Sequence, residues 1–356
     1  MSPRTQRLST VVALLVVLIA GGVGGWYVRG AYAPSSGPSE STLWVGAAGT
    51  LAPILPGLGA TFAQETPGIR APAAAQTFEG SIALLKSIGA LQARYDVAAV
   101  ADYRLIPELL EPRGAAWELI FASDPMVLVY NPSVSALAGL NSTNWAARLQ
   151  APGVLLGVAN ASIDPLGYAE IFTQELAGTN GSGVTNGSTL YTHFYRGAVG
   201  GPATPNPATT RIAPEADAAA LIRTGAVSAF LIYRSYALSS NLSYVNLPWT
   251  VDLGSINQTG LARYSTAATE IAGTTGLQRV TGSPILFAVT VPTLAPDPAL
   301  GQLFVAYLLA PATRTVLASA GFTPIAPAWA DQYAQLPSAL GALAVPLPSP
   351  LAAGIG

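Results

Sequence analysis

Short apolar runs alternate with longer stretches of helical periodicity along most of this chain. Residues 43–45, 96–100, 126–130, 154–158, 229–232 and 285–291 are brief, apolar and largely uninterrupted, which predicts buried strands. Between them, residues 54–64, 82–91, 168–176, 215–224 and 298–309 space their apolar side chains as helices do, and Gly225 is placed to stop the fourth. Alternation of this kind predicts α/β layers built on largely parallel sheets. Residues 177–212 break the pattern. They are rich in Gly, Thr, Asn and Pro, with little periodicity, and read as a surface insertion.

The N-terminus carries a different signal. Arg4 and Arg7 precede a charge-free run over 8–28, closed by Arg29. As a helix that run would cover the ~30 Å of a bilayer core, with Trp26 and Tyr27 at the outer interface and the arginines inside. A cleavable signal is the competing expectation, because Ala31-Tyr32-Ala33 has the form of a cleavage site. Either way the remainder is exported, behind a flexible Pro/Ser spacer at 34–40. Asn-x-Ser/Thr sequons at Asn141, Asn160, Asn180, Asn186, Asn241 and Asn257 fit a glycosylated outer surface. The apolar stretch near 303–320 is broken by Pro311 and Arg314, so no second span is expected.

Composition narrows the chemistry. With 356 residues the chain is long enough for two domains. It has no cysteine, which excludes disulfides, thiolate metal sites and thiol nucleophiles. A net charge of −2, from 16 basic and 18 acidic residues, gives no footprint for nucleic acid. The single histidine, His193, rules out a multi-histidine metal site and reads as a loop residue.

The candidate functional residues cluster where strand patterns give way to helical ones. Gly49-Thr50 and Gly80-Ser81 each lead into an apolar helical run, Asp164 is followed by Pro165, Glu215 follows Pro214, and Tyr233 closes a strand. Ligands bind beyond the strand ends of open α/β sheets, and helix N-termini suit anions. Each residue also has an ordinary structural explanation. Gly-Thr, Gly-Ser and Asp-Pro are common helix starts, and an acid in a first turn is favoured by the helix dipole.

Taken together, the Ala48-Gly49-Thr50-Leu51, Glu79-Gly80-Ser81-Ile82, Ile163-Asp164-Pro165-Leu166-Gly167-Tyr168 and Pro214-Glu215-Ala216-Asp217 segments, with Tyr233 in Phe230-Leu231-Ile232-Tyr233, resemble the archaeal tungstate/molybdate-binding proteins. These are solute-binding subunits of ABC importers. The resemblance extends through Asp96–Pro107, Met126–Tyr130, Leu140–Trp145, Gly282–Pro292 and Phe322–Pro327 and covers residues 41–329. It departs at Thr50, where the family usually has Ser, and at Leu166, where it often has Cys.

The resemblance implies a two-lobed class II solute-binding fold with the ligand cleft between lobes. Residues 1–42 would then be anchor or signal plus linker, 43–125 and 287–335 one lobe, 126–286 the other, and 336–356 a Pro/Ala-rich tail. It implies a binding protein and not an enzyme, with no resident cofactor. Its ligand contacts would be Gly49, Thr50, Ser81, Ile163, Asp164, Pro165, Glu215 and Tyr233, with Asp164 and Glu215 bonding tungsten or molybdenum. Its partners would be the oxyanion, a permease with its ATPase, and the membrane through the N-terminal helix. Receptors for another solute and non-transport surface modules remain as alternatives. On the same reading Arg234 pairs with a nearby acid, Glu79 faces solvent, and Asp102 with Tyr103 forms a structural turn.

Overall fold

The computed structural model of the protein describes residues 40–273 and 276–352. The run expected as anchor or signal lies outside them. The described chain is organised around two mixed sheets. The seven-stranded sheet has the order Ala344–Pro346, Thr323–Asp331, Glu118–Ser123, Leu286–Thr290, Val97–Val100, Val45–Ala48 and Gln76–Glu79. The five-stranded sheet runs Thr210–Ile212, Leu156–Val158, Ala229–Tyr233, Met126–Tyr130 and Tyr244–Asn246.

The expectation of largely parallel sheets is corrected. In the larger sheet the pairings toward both edges are parallel and those around Glu118–Ser123 and Leu286–Thr290 are antiparallel. In the smaller sheet two pairings are parallel and two antiparallel. The reason lies in the connections. Glu118–Ser123 of one sheet passes through Asp124 and Pro125 directly into Met126–Tyr130 of the other. A strand reached without a helical crossover is not held to the parallel sense.

Burial explains why the strand runs are uninterrupted. Every residue of Val97–Val100, Glu118–Ser123, Ala229–Tyr233 and Leu286–Thr290 is buried. Helices cover both faces, so these strands need apolar side chains on both. The helix Pro165–Ala177 is buried at all 13 positions.

Residues 177–212 do more than decorate. They form the helix Leu190–Phe194 and supply Thr210–Ile212 to the smaller sheet, where it pairs with Leu156–Val158. Leu190, Tyr191, Phe194 and Tyr195 are buried, and His193 lies in the last turn of this helix instead of a loop. The segment read as a tail also contributes structure. Ala344–Pro346 adds an edge strand, and Leu351 accepts a hydrogen bond at its carbonyl from the Tyr103 hydroxyl at 3.1 Å. A hairpin of Ala268–Ala272 and Leu277–Thr281, not anticipated from the pattern, closes one side.

No single helix among the described residues is long and apolar enough to cross a membrane. Pro298–Leu308 and Pro311–Ser319 are bent by 64° at their break, and Leu300, Phe304, Val305 and Leu308 of the first are buried in the core.

Candidate functional site

Loops at the ends of the two sheets meet. From the larger sheet, Val45–Ala48 turns into the short helical turn Gly49–Leu51, and Gln76–Glu79 leads through Gly80 into the helix Ser81–Leu91. From the smaller sheet, Leu156–Val158 leads to Asp164 and the helix Pro165–Ala177. Thr210–Ile212 leads through Pro214 into Glu215, which opens the turn Glu215–Asp217 and the helix Ala218–Thr224. Tyr233 closes its own strand. All of these are strand-to-helix junctions, so the site grows from the ends of both sheets.

Direct contacts join the halves near the acids. The Thr50 hydroxyl donates to Glu215 Oε1 at 2.5 Å, and both residues are buried. The Ile163 carbonyl accepts from Ala83 N–H at 3.1 Å, and a Cβ on Gly80 would lie 2.3 Å from that oxygen and 2.9 Å from the Asp164 Cβ. Gly49 is similarly close to Glu215, with a Cβ position 3.2 Å from Oε2. Glycine at these points lets backbone approach an acid-bearing loop where any side chain would intrude.

The structural role foreseen for Asp164 is present. It caps the helix, its Oδ1 accepting from Leu166 N–H at 3.0 Å, with Pro165 in the first position. That bond engages one oxygen, and no donor among the described residues reaches Oδ2. Ser81 Oγ accepts from Ala101 N–H at 3.0 Å, and no acceptor among the described residues takes its proton. Tyr233 is buried with its ring edge-on to Phe287 at 5.7 Å, and its hydroxyl makes no hydrogen bond within the described residues. The site therefore brings together two carboxylates, two donors without acceptors and a Thr hydroxyl.

Electrostatics set this site apart from an ordinary pair of helix caps. Burial pushes Asp164 up to about 6, with the Leu166 N–H only partly opposing. Burial also raises Glu215 well above the usual carboxylate range, the charge of Asp164 adds to the effect, and the Thr50 hydrogen bond opposes it. Tyr233 is raised by burial and by the charges of Glu215 and Asp164. The cation Arg104 is committed elsewhere, to Asp102, at 2.7 Å. A cavity of about 230 Å³ opens beside the acids, with Glu79, Gly80, Asp164 and Glu215 in its wall and Ile163 and Ile212 at its exposed rim. Glu79 is thus part of the wall and partly buried, which raises its carboxyl; the expectation that it faces solvent is corrected. It sits at the last position of an edge strand whose end points at the gap.

Two further expectations change. Arg234 donates to the Gly321 carbonyl at 2.9 and 2.7 Å and forms no ion pair among the described residues, because its guanidinium is turned to that carbonyl at the end of a helix. Asp102 is more than a turn residue, since it accepts the Tyr168 hydroxyl at 2.6 Å across the gap. Glu170 was not anticipated at all. It is fully buried one turn and a half beyond Asp164, accepts the Ala159 N–H at 3.1 Å, and burial raises its carboxyl well above the usual range. Its spacing from Asp164 is visible in the sequence, but the neighbour that packs beside it, Tyr195, comes from residues 177–212.

Chemically, the arrangement offers few ligands to a bare cation. Among the described residues no group of three or more Asp, Glu, His or Cys is placed to hold one. Two acids beside hydroxyl donors instead suit a small species that brings its own oxygens and also accepts oxygen ligands.

The chain matches the family model of bacterial extracellular solute-binding proteins over residues 43–323. A solute-binding protein from Methanoculleus marisnigri, itself uncharacterised, is 31% identical over 280 residues, spanning 74% of this chain and 76% of its own. The molybdate/tungstate-binding protein WtpA of Thermococcus kodakarensis is 27% identical over 319 residues, spanning 85% of this chain and 86% of its own. Among solved structures, the periplasmic molybdate-binding protein of Azotobacter vinelandii shares the fold with a TM-score of 0.54. Its identity is 16%, over 79% of this chain and 98% of that one.

Proposed function

The chain belongs to the bacterial extracellular solute-binding protein family, and from that premise we propose that it captures tungstate or molybdate and delivers it to an ABC importer. The ion would sit between the two sheets, each supplying one lobe. Asp164 and Glu215 would bond the metal centre while Ser81, Tyr233 and the Thr50 turn hold its oxo groups. The permease and its ATPase would receive the ion, and the N-terminal segment would keep the receptor at the membrane. The relative that binds molybdate and tungstate supports this choice of ligand.

One observation carries the proposal: two buried carboxylates from neighbouring loops of the smaller sheet share a site that no free cation among the described residues balances. An ordinary oxyanion within ~3.5 Å of two carboxylates is repelled by at least ~1 kcal/mol per charge pair, and by more once water leaves. Sulfate or phosphate is better held by donors alone. Tungsten and molybdenum are large, hard, high-valent centres that accept additional oxygen ligands, and carboxylates suit such centres. A bond to the metal offsets the repulsion from its oxo groups, which sulfur cannot reproduce. The elevated carboxyls leave a second possibility, in which protonated Asp164 and Glu215 donate hydrogen bonds to a simple oxyanion.

Calorimetric titration with tungstate, molybdate and sulfate at pH 5.5 and 7.5 separates the two. Metal-bonding carboxylates give tight tungstate and molybdate binding that weakens at the lower pH, with sulfate silent. Sulfate binding that strengthens at pH 5.5 would show that the acids act as proton donors and would defeat the metal-ligand role.

A further inference from the structure

Another side-chain bond crosses between the sheets. The Tyr168 hydroxyl, on the helix packed against the smaller sheet, donates to Asp102 Oδ2 at 2.6 Å, just beyond the strand Val97–Val100 of the larger one. Both residues are largely buried. Arg104 grips Asp102 with two nitrogens, Nε to Oδ1 at 3.0 Å and Nη2 to Oδ2 at 2.7 Å. Its Nη1 donates to the Thr281 carbonyl at 2.9 Å, in the hairpin on the far side of the gap. The guanidinium therefore both holds Asp102 ionised and reaches across on its own account.

We infer that Tyr168 is a positioning residue for the ion site, and that its bond to Asp102 sets how long a bound ion is held. Tyr168 lies one helical turn beyond Asp164, which caps the same helix. A helix is stiff along its axis, so fixing Tyr168 against the opposite sheet fixes the depth and rotation of the helix start. The Asp164 carboxylate is then presented to the gap in one place. The hydroxyl makes no contact with the ion in this scheme. Because the bond exists only when the sheets are together, its loss accelerates opening and leaves the encounter with the ion unchanged. A hydrogen bond to a charged partner is strong enough for its loss to quicken dissociation by about ten- to a hundredfold.

The ion-release part rests on the proposed function, while the link between the sheets does not, and the experiment keeps them apart. Stopped-flow binding and release of tungstate is measured on the full chain and on Tyr168→Phe, which removes only the hydroxyl. In parallel, the absence of cysteine allows dye pairs at Leu91→Cys and Val199→Cys, two exposed sites served by different sheets, to read sheet separation by single-molecule energy transfer. The expected result is a lower closed fraction in Tyr168→Phe, release faster by at least tenfold and association within threefold. A parent that ignores tungstate overturns the ion-release part and the proposed ligand together, and the dye readout then decides the link alone. Equal closed fractions and equal release rates overturn the inference, as does a variant that melts earlier with no change in either.

Discussion

Gly80 and Ile163 touch backbone to backbone across the gap between the sheets: a methyl group on Gly80 would lie 2.3 Å from the Ile163 carbonyl oxygen. That oxygen also accepts the Ala83 N–H at 3.1 Å, so it cannot swing aside without losing a bond. Gly80 has φ −60, which any residue adopts, so its small size and not its flexibility is what the site requires. Gly80→Ala should therefore spare the fold while obstructing closure. We expect folding stability to fall by no more than about 1 kcal/mol, the usual difference between Gly and Ala at a helix cap. Tungstate affinity should fall about a hundredfold or more by calorimetry. Gly49→Ala, whose Cβ would stand 3.2 Å from Glu215 Oε2, should cost only about tenfold, because a carboxylate can rotate. Equal affinity in Gly80→Ala and the parent would mean that ion binding does not need these loops in contact.

The acids themselves are tested by Glu215→Gln and Asp164→Asn. Asn is a good helix cap, so Asp164→Asn retains the bond to Leu166 N–H and leaves the helix start intact. If the acids serve only the helices, affinity barely moves. If they bond the metal, neutral amides are far poorer ligands for a hard centre, and tungstate affinity drops by roughly a hundredfold or more in each. Titration values within threefold of the parent in both variants would leave a receptor whose anion is unknown.

Much of the site was legible because helix starts are written locally. Gly80-Ser81 and Asp164-Pro165 announce where helices begin, and Pro214-Glu215 does so for a third. What faces what was not legible from the residues themselves. Thr50 and Glu215 are 165 positions apart, and Asp102 and Tyr168 are 66 apart. The strand Glu118–Ser123 escaped notice because it opens with a charged residue that is nevertheless completely buried. Glu170, Thr173, Gln174 and Glu175 look like a solvated helix face in sequence, yet the structure buries them. Residues 177–212 lack periodicity because their short helix and strand take their order from the surface they cover.

Ligand-free stability should depend on pH through Asp164. Its folded carboxyl is raised to about 6, above the unfolded value near 3.8. The stabilisation from holding that proton is complete below pH ~4 and is lost as pH rises through about 6. Glu215 acts in the same direction. The parent should therefore melt at lower temperature at pH 7.5 than at pH 5, and Asp164→Asn should flatten the slope. Buried Asp124 and half-buried Glu111, each raised to about 7, contribute with the same sign but remain in both proteins. Thermal melts from pH 5 to 8 on the two proteins read the Asp164 contribution together with the effect of its charge on Glu215, and identical slopes would refute it.

The strand Ala344–Pro346 has a consequence for encounters between copies of the molecule. It lies in parallel register beside Thr323–Asp331, the longest strand of the larger sheet, with the Leu347 N–H donating to the Ala330 carbonyl at 2.8 Å. An uncovered strand of that length is a template for edge-to-edge pairing, the route by which sheets aggregate. The covering strand ends in Pro346, and Pro348 follows, so the new edge offers few donors of its own. Residues 344–348 thus work as a stopper on the sheet, keeping crowded neighbours from zipping together.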